Sequence, residues 1–171
     1  MFDHPSNSCD QCFTSVTDLE LSVRSHLLND CLSFIGAGRL LNIKNVHIHL
    51  LDEEDPAPDI LANSIYALFC GCPLLMTFQC TDGLVGFTDQ AFLMLGRFTR
   101  LRKVVCLYDQ SIVSKLETIL HDSKSLEQVI FFENASYCGN TKWIEMEDEL
   151  ENVRTQYPSV QVSLMDWWWS Q

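Results

Sequence analysis

The chain has 171 residues, 47% of them apolar, which is enough for one domain with its own hydrophobic core. Its 11 basic and 23 acidic residues give a formal net charge of −12, which disfavours binding to nucleic acids and to anionic membranes. We therefore expect neither nucleic acid nor a membrane among its partners.

The eight cysteines indicate the compartment in which the chain works. Met1 is followed by polar residues and not by the basic and then apolar pattern of a secretory signal. Cys80 and Cys106 fall at predicted core positions, where a reduced thiol packs as a small hydrophobic group. We expect a reducing setting, cytoplasmic or nuclear, and no disulfide framework.

The sequence of residues 1–42 predicts a polar N-terminal arm followed by a capping helix. Thr17 is a suitable N-cap, and the next apolar residues recur every four positions, namely Leu19, Val23, Leu27 and Cys31. Gly36 and Gly38 would end this helix. We expect it to cover the first end of the sheet that residues 43–171 form.

The same region contains a candidate structural zinc site. Cys9 and Cys12 are separated by two residues, and His26 and Cys31 follow on the predicted helix. Two thiolates on a turn with a histidine and a cysteine on a helix have the donor types and approximate spacing of small zinc-binding folds. The alternative is that Cys31 packs in the core, that His26 lies on the helix surface, and that the other two cysteines are unligated.

From residue 43 onward, one spacing of apolar residues returns five times. It is Ile43-x-x-Val46-x-Ile48, Leu75-x-x-Phe78-x-Cys80, Leu101-x-x-Val104-x-Cys106, Leu126-x-x-Val129-x-Phe131 and a degraded Ser159-x-x-Val162-x-Leu164. Apolar stripes with helical periodicity lie between these segments. Crossovers of this length require parallel strands, so we predict an α/β fold with a parallel sheet of repeated β-α units.

One stretch of the repeat region is uncharged for 22 residues, from Ile60 to Thr81. That is long enough to cross a bilayer, but Gly71 and Pro73 would break a membrane helix near its middle. We predict a buried helix, a turn and a buried strand in its place.

The spacing resembles that of the leucine-rich repeat superfamily, and in particular the irregular, cysteine-containing repeats found in the C-terminal halves of F-box proteins. The resemblance covers residues 43–165. It implies a short solenoid that binds another protein, as a scaffold or substrate-recognition module, and no enzymatic activity. Residues 1–42 lack the helical segment opened by Leu-Pro that is typical of an F-box, so the resemblance extends to the repeats alone.

A second architecture also fits part of the pattern. Residues 103–108 and 128–132 are nearly continuous apolar runs, as in strands of a doubly wound, three-layer α/β sandwich covered on both faces. Such a domain would be an enzyme that binds a nucleotide or small substrate at the carboxyl ends of its strands. Gly36 and Gly38 partly match a dinucleotide-binding loop, but the third glycine of that motif is absent.

In the solenoid architecture, one face of the sheet is available to a partner. Its predicted apolar centre comprises Val105, Leu107, Ile130 and Phe132. Its predicted polar rim comprises His47, Gln79, Lys103 and Gln128. Such an apolar cluster must be covered either by a partner or by another part of the chain, and we predict a partner protein.

His47 and His49 are separated by one residue, so on a strand their side chains point to the same side. Metal hydrolases also use this spacing of histidines. We find no carboxylate at an equivalent position in the predicted strands. The sequence therefore favours a row of polar contacts at these two histidines.

Overall fold

The computed structural model describes residues 15–38, 40–51, 59–81, 86–133 and 135–166. Within these ranges, six strands alternate with five α-helices. The strands are β1 (Asp18–Val23), β2 (Asn45–Leu50), β3 (Thr77–Thr81), β4 (Lys103–Leu107), β5 (Gln128–Glu133) and β6 (Gln161–Asp166). The helices are α1 (Leu28–Ala37), α2 (Ala62–Gly71), α3 (Asp89–Leu95), α4 (Gln110–Asp122) and α5 (Ala135–Gln156), and a single 3-10 turn (Ser25–Leu27) precedes α1.

All six strands form one parallel sheet in the order β1-β2-β3-β4-β5-β6, so each strand pairs with the next one along the chain. The prediction of a parallel α/β sheet built from repeated β-α units is confirmed. A doubly wound sheet reverses its strand order at a switch point, and this sheet has no reversal among its described strands. The doubly wound alternative is therefore wrong.

The helices pack on one face of the sheet. Each α-helix contacts the next, and the buried side chains of all five share one core with alternate residues of the strands. The core positions on the strands are Val46, Ile48, Leu50, Phe78, Cys80, Val104, Cys106, Val129, Phe131, Val162 and Leu164. Because successive strand residues point to opposite faces, these positions define the inner face of the sheet.

The repeat spacing corresponds to this register. Val46 pairs with Phe78, and the same column continues through Val104 and Val129 to Val162. The first positions of the four regular repeats are also buried, namely Ile43, Leu75, Leu101 and Leu126. Each repeat therefore places three apolar side chains in the core at equivalent points.

The prediction for residues 17–27 is wrong. Asp18–Val23 is a strand that pairs in parallel with β2, and the helix begins only at Leu28. Apolar and polar residues alternate along β1, which is the periodicity of a strand with one face against a core. A strand and not a helix thus forms this end of the described sheet, and α1 lies in the helix layer beside α2.

Close backbone contact joins α1 to α2. A Cβ atom on Gly71 would overlap the carbonyl group of Gly36, so the two glycines allow an approach that larger residues would block. The Asn29 side chain accepts a hydrogen bond from the Leu61 amide at 2.9 Å and donates one to the Asp59 carbonyl, also at 2.9 Å. Gly36 lies inside α1, so the partial dinucleotide-binding motif does not form a loop there.

The uncharged segment folds as predicted, with α2 and β3 separated by a turn. The five helices within the described ranges are all too short or too polar to cross a bilayer.

Candidate functional site: the outer face of the sheet

We call the face that points away from the helices the outer face. It consists of the strand positions that alternate with the core positions: Asp18, Glu20, Ser22, Asn45, His47, His49, Thr77, Gln79, Thr81, Lys103, Val105, Leu107, Gln128, Ile130, Phe132, Gln161, Ser163 and Met165. The register brings the first predicted row together, because His47 pairs with Gln79, which pairs with Val105. Ile130 and Ser163 continue this row.

The predicted apolar centre is not exposed. Val105, Ile130 and Phe132 are only 2%, 8% and 7% exposed, and they form a second small core separate from the one under the helices. Leu107 is half-buried, whereas Met165 at the edge of the cluster is 37% exposed. The prediction of an exposed apolar centre is thus wrong for three of its four residues, since the chain buries them in the absence of any partner.

The predicted polar rim is partly accessible. Its four members, His47, Gln79, Lys103 and Gln128, are all half-buried. Gln128 donates a hydrogen bond from its side-chain amide to the Gln161 side chain at 3.0 Å. This side of the outer face therefore presents partly accessible polar groups whose backbones are held by strand pairing.

At the β1 end of the outer face, a carboxylate lies beside the two histidines. Glu20 of β1 pairs in register with His47, and its Oε1 atom lies 3.1 Å from the Nε2 atom of His49. The two imidazole rings are 4.0 Å apart between centroids, and His47 Nε2 is 3.0 Å from the hydroxyl oxygen of Thr81. One ligand atom from each of the three residues lies within 4.8 Å of the other two.

The sequence pattern indicates the two histidines but not their carboxylate neighbour. The helix predicted over residues 18–23 excludes Glu20 from the sheet. A signal for the strand was nevertheless present, because Val16-x-x-Leu19-x-Leu21 repeats the spacing of the later strands, 27 residues before Ile43. In that alignment, Glu20 occupies the position of His47 and Gln79.

The cysteine-rich zinc site remains a prediction. Cys9 and Cys12 lie outside the described residues. His26 is exposed in the 3-10 turn, and Cys31 is half-buried in α1. Burial raises the pKa of the Cys31 thiol, which would oppose formation of the thiolate that zinc requires.

A groove whose charged side chains are mainly basic lies at the amino ends of the strands. This groove has a volume of about 470 Å³, and its charged lining residues are Lys44, Arg100, Arg102, Lys124 and Glu127. Arg102 forms an ion pair with Glu127, with 3.4 Å between Nη1 and Oε1. The positive charge is therefore partly neutralised within the groove itself.

The groove at the opposite, carboxyl end of the sheet is acidic. Its lining includes Asp109, Glu133, Glu145 and Glu149. The Tyr108 hydroxyl donates a 2.6 Å hydrogen bond to Glu149, and burial together with this carboxylate raises the pKa of the tyrosine. The two ends of the strands thus carry opposite charge.

Comparison of the chain with protein-family models, with curated proteins and with solved structures finds no match.

Proposed function

We propose that this chain is a non-catalytic protein-binding module that holds a partner on the polar part of its outer face. The observation that carries the proposal is the sequential parallel sheet with its helices on one side. In the described part of the chain, no helix packs on the opposite face. The leucine-rich-repeat-like spacing supports the same function, since repeats of this type present a sheet face to other proteins.

The binding residues in this proposal are His47, Gln79, Lys103 and Gln128. Strand pairing fixes their backbones, so a partner would bind side chains that are already positioned, which lowers the entropic cost of association. Lys103 is the one cation among the described positions of the outer face. We therefore expect the partner to place a carboxylate opposite Lys103 and hydrogen-bonding groups opposite the two glutamines.

A cytoplasmic or nuclear location belongs to the same proposal. Cys31, Cys70, Cys72, Cys80 and Cys106 form no disulfide with one another. Burial raises the pKa of Cys72 to about 11 and also raises that of Cys106, so both stay protonated and packed at neutral pH. Buried thiols that are not joined in disulfides are typical of proteins in reducing compartments, which supports the proposed location.

The test compares two charge reversals at lysines on different surfaces. Tagged wild type, Lys103→Glu and Lys142→Glu are used to capture partners from cell extract, and each captured protein is then purified and its affinity measured directly. Lys142 serves as the matched control because it is exposed on α5, away from the outer face. We expect Lys103→Glu to weaken a genuine partner at least tenfold, which corresponds to about 1.4 kcal/mol, and Lys142→Glu to leave its affinity unchanged. Equal affinities for the wild type and Lys103→Glu would contradict the proposal.

A further inference from the structure

Glu20, His47 and His49 offer a donor set of two imidazole nitrogens and one carboxylate oxygen. The three side chains come from neighbouring strands, and parallel pairing of β1 with β2 sets Glu20 directly opposite His47. The two histidines lie on the same side of β2 because one residue separates them. Strand geometry alone therefore directs all three side chains to one patch of the outer face.

The distances are close to those of a metal site. In tetrahedral zinc sites with metal–ligand bonds of about 2.0–2.2 Å, the ligand atoms lie about 3.4 Å from each other. The atoms of Glu20 and His49 are already 3.1 Å apart, and the whole set lies within 4.8 Å. Side-chain rotations that move the ligand atoms by about 1 Å would bring all three to the spacing of a tetrahedral site.

We propose that Glu20, His47 and His49 bind one divalent transition-metal ion, with Zn²⁺ as the ion that this donor set suits best. Imidazole nitrogen favours zinc and its neighbours over magnesium and calcium, which prefer oxygen ligands alone. Thr81, 3.0 Å from Nε2 of His47, is placed to orient that ring.

The proposed site is accessible from solvent. The Glu20 side chain is 75% exposed and that of His49 is 29% exposed, so an ion can enter from solvent. Three protein ligands leave a fourth tetrahedral position for water or for a side chain of a partner. This site goes beyond the proposed protein-binding function and shares only His47 with its surface, so either proposal can fail alone.

The test is a Zn²⁺ titration of the purified chain by calorimetry under reducing conditions, repeated with Mg²⁺. A Cys9→Ser/Cys12→Ser background removes two donors of the cysteine-rich candidate site. In this background we expect one equivalent of Zn²⁺ to bind. Glu20→Gln and His49→Gln should each weaken Zn²⁺ binding by at least about tenfold, since loss of even a residue that only hydrogen-bonds to a metal ligand lowers metal affinity about that much. His121→Gln is the matched control, because His121 also lies beside a carboxylate, Asp122 at 3.2 Å, but no third ligand joins them among the residues that the structure describes.

Co²⁺ provides a second measurement that does not depend on the double cysteine variant. Co²⁺ bound by nitrogen and oxygen gives visible d–d bands without the thiolate charge-transfer band that cysteine ligands produce. We expect such a spectrum for the wild type and its loss in Glu20→Gln, with circular dichroism verifying that the variant is folded. Absence of saturable Zn²⁺ binding in the Cys9→Ser/Cys12→Ser background, or unchanged affinity in Glu20→Gln and His49→Gln, would show that Glu20, His47 and His49 do not bind the metal.

Discussion

Replacement of Gly36 or Gly71 by alanine tests the contact that joins the first β-α unit to the rest of the chain. A Cβ atom at Gly36 would lie 2.7 Å from the Leu68 backbone nitrogen and closer still to the Ala67 carbonyl. Backbone atoms cannot rotate away as a side chain can, so α1 and α2 would have to separate. Overpacking of a tight contact costs about 1–3 kcal/mol or more.

Intrinsic helix propensity acts in the opposite direction. Alanine is favoured over glycine inside a helix by about 1 kcal/mol, so with an overpacking cost near the upper end of its range the net loss should be about 2 kcal/mol. Gly38→Ala is the matched control, because its φ is −70° and a Cβ there would be no closer than 3.4 Å to the nearest atom. We expect that variant to be neutral or more stable by up to about 1 kcal/mol.

Urea unfolding followed by circular dichroism measures the stability of each glycine variant. A change in stability shifts the midpoint urea concentration, while the dependence of the unfolding free energy on urea stays constant. Gly36→Ala and Gly71→Ala should unfold at clearly lower urea than the wild type, and Gly38→Ala should not. If either of the first two matched the stability of the wild type, the close helix contact would not be as the structure describes it.

Two further predictions concern buried groups. Phe132→Asp should destabilise the fold by at least about 3–5 kcal/mol, the usual cost of removing a buried aromatic ring, because Phe132 is 7% exposed. Met165 lies on the same face but is 37% exposed, so Met165→Asp should cost no more than about 1 kcal/mol in the same unfolding assay. Similar losses of stability in the two variants would contradict the burial of Phe132 in a second core. The raised pKa of Tyr108 means that the folded chain holds this proton more tightly than the unfolded chain, so the stabilisation is complete below the ordinary tyrosine value of 10.0 and is lost as pH rises above it. Tyr108→Phe should flatten the fall in stability measured between pH 9 and 11, and an unchanged slope would show that burial and the Glu149 hydrogen bond do not raise the pKa of Tyr108.

The sequence predicts β2 to β6 and their parallel arrangement well because the signals are local. The apolar residues of each repeat are at most five positions apart, and each crossover is long enough to require a parallel return. The column from Val46 to Val162 therefore follows from spacing alone.

The helix predicted at β1 is wrong because two periodicities overlap there. Leu19 and Val23 fit a four-residue helical period, yet together with Leu21 they also fit a two-residue strand period. The neighbouring strand decides between them, since β2 offers a parallel edge with which residues 18–23 pair along their full length. Tertiary context overrides local propensity at such a position.

By itself, the sequence determines the α/β fold class, the parallel arrangement of β2 to β6 and the repeated core positions of these strands. These depend on residue spacing within short segments. Tertiary structure alone decides that Glu20 lies beside His49, 29 positions later in the chain, and that Val105, Ile130 and Phe132 are buried. Both results depend on which segments become neighbours after folding. Whether a side chain is buried is decided by the segments that pack around it, not by the residue or its immediate sequence.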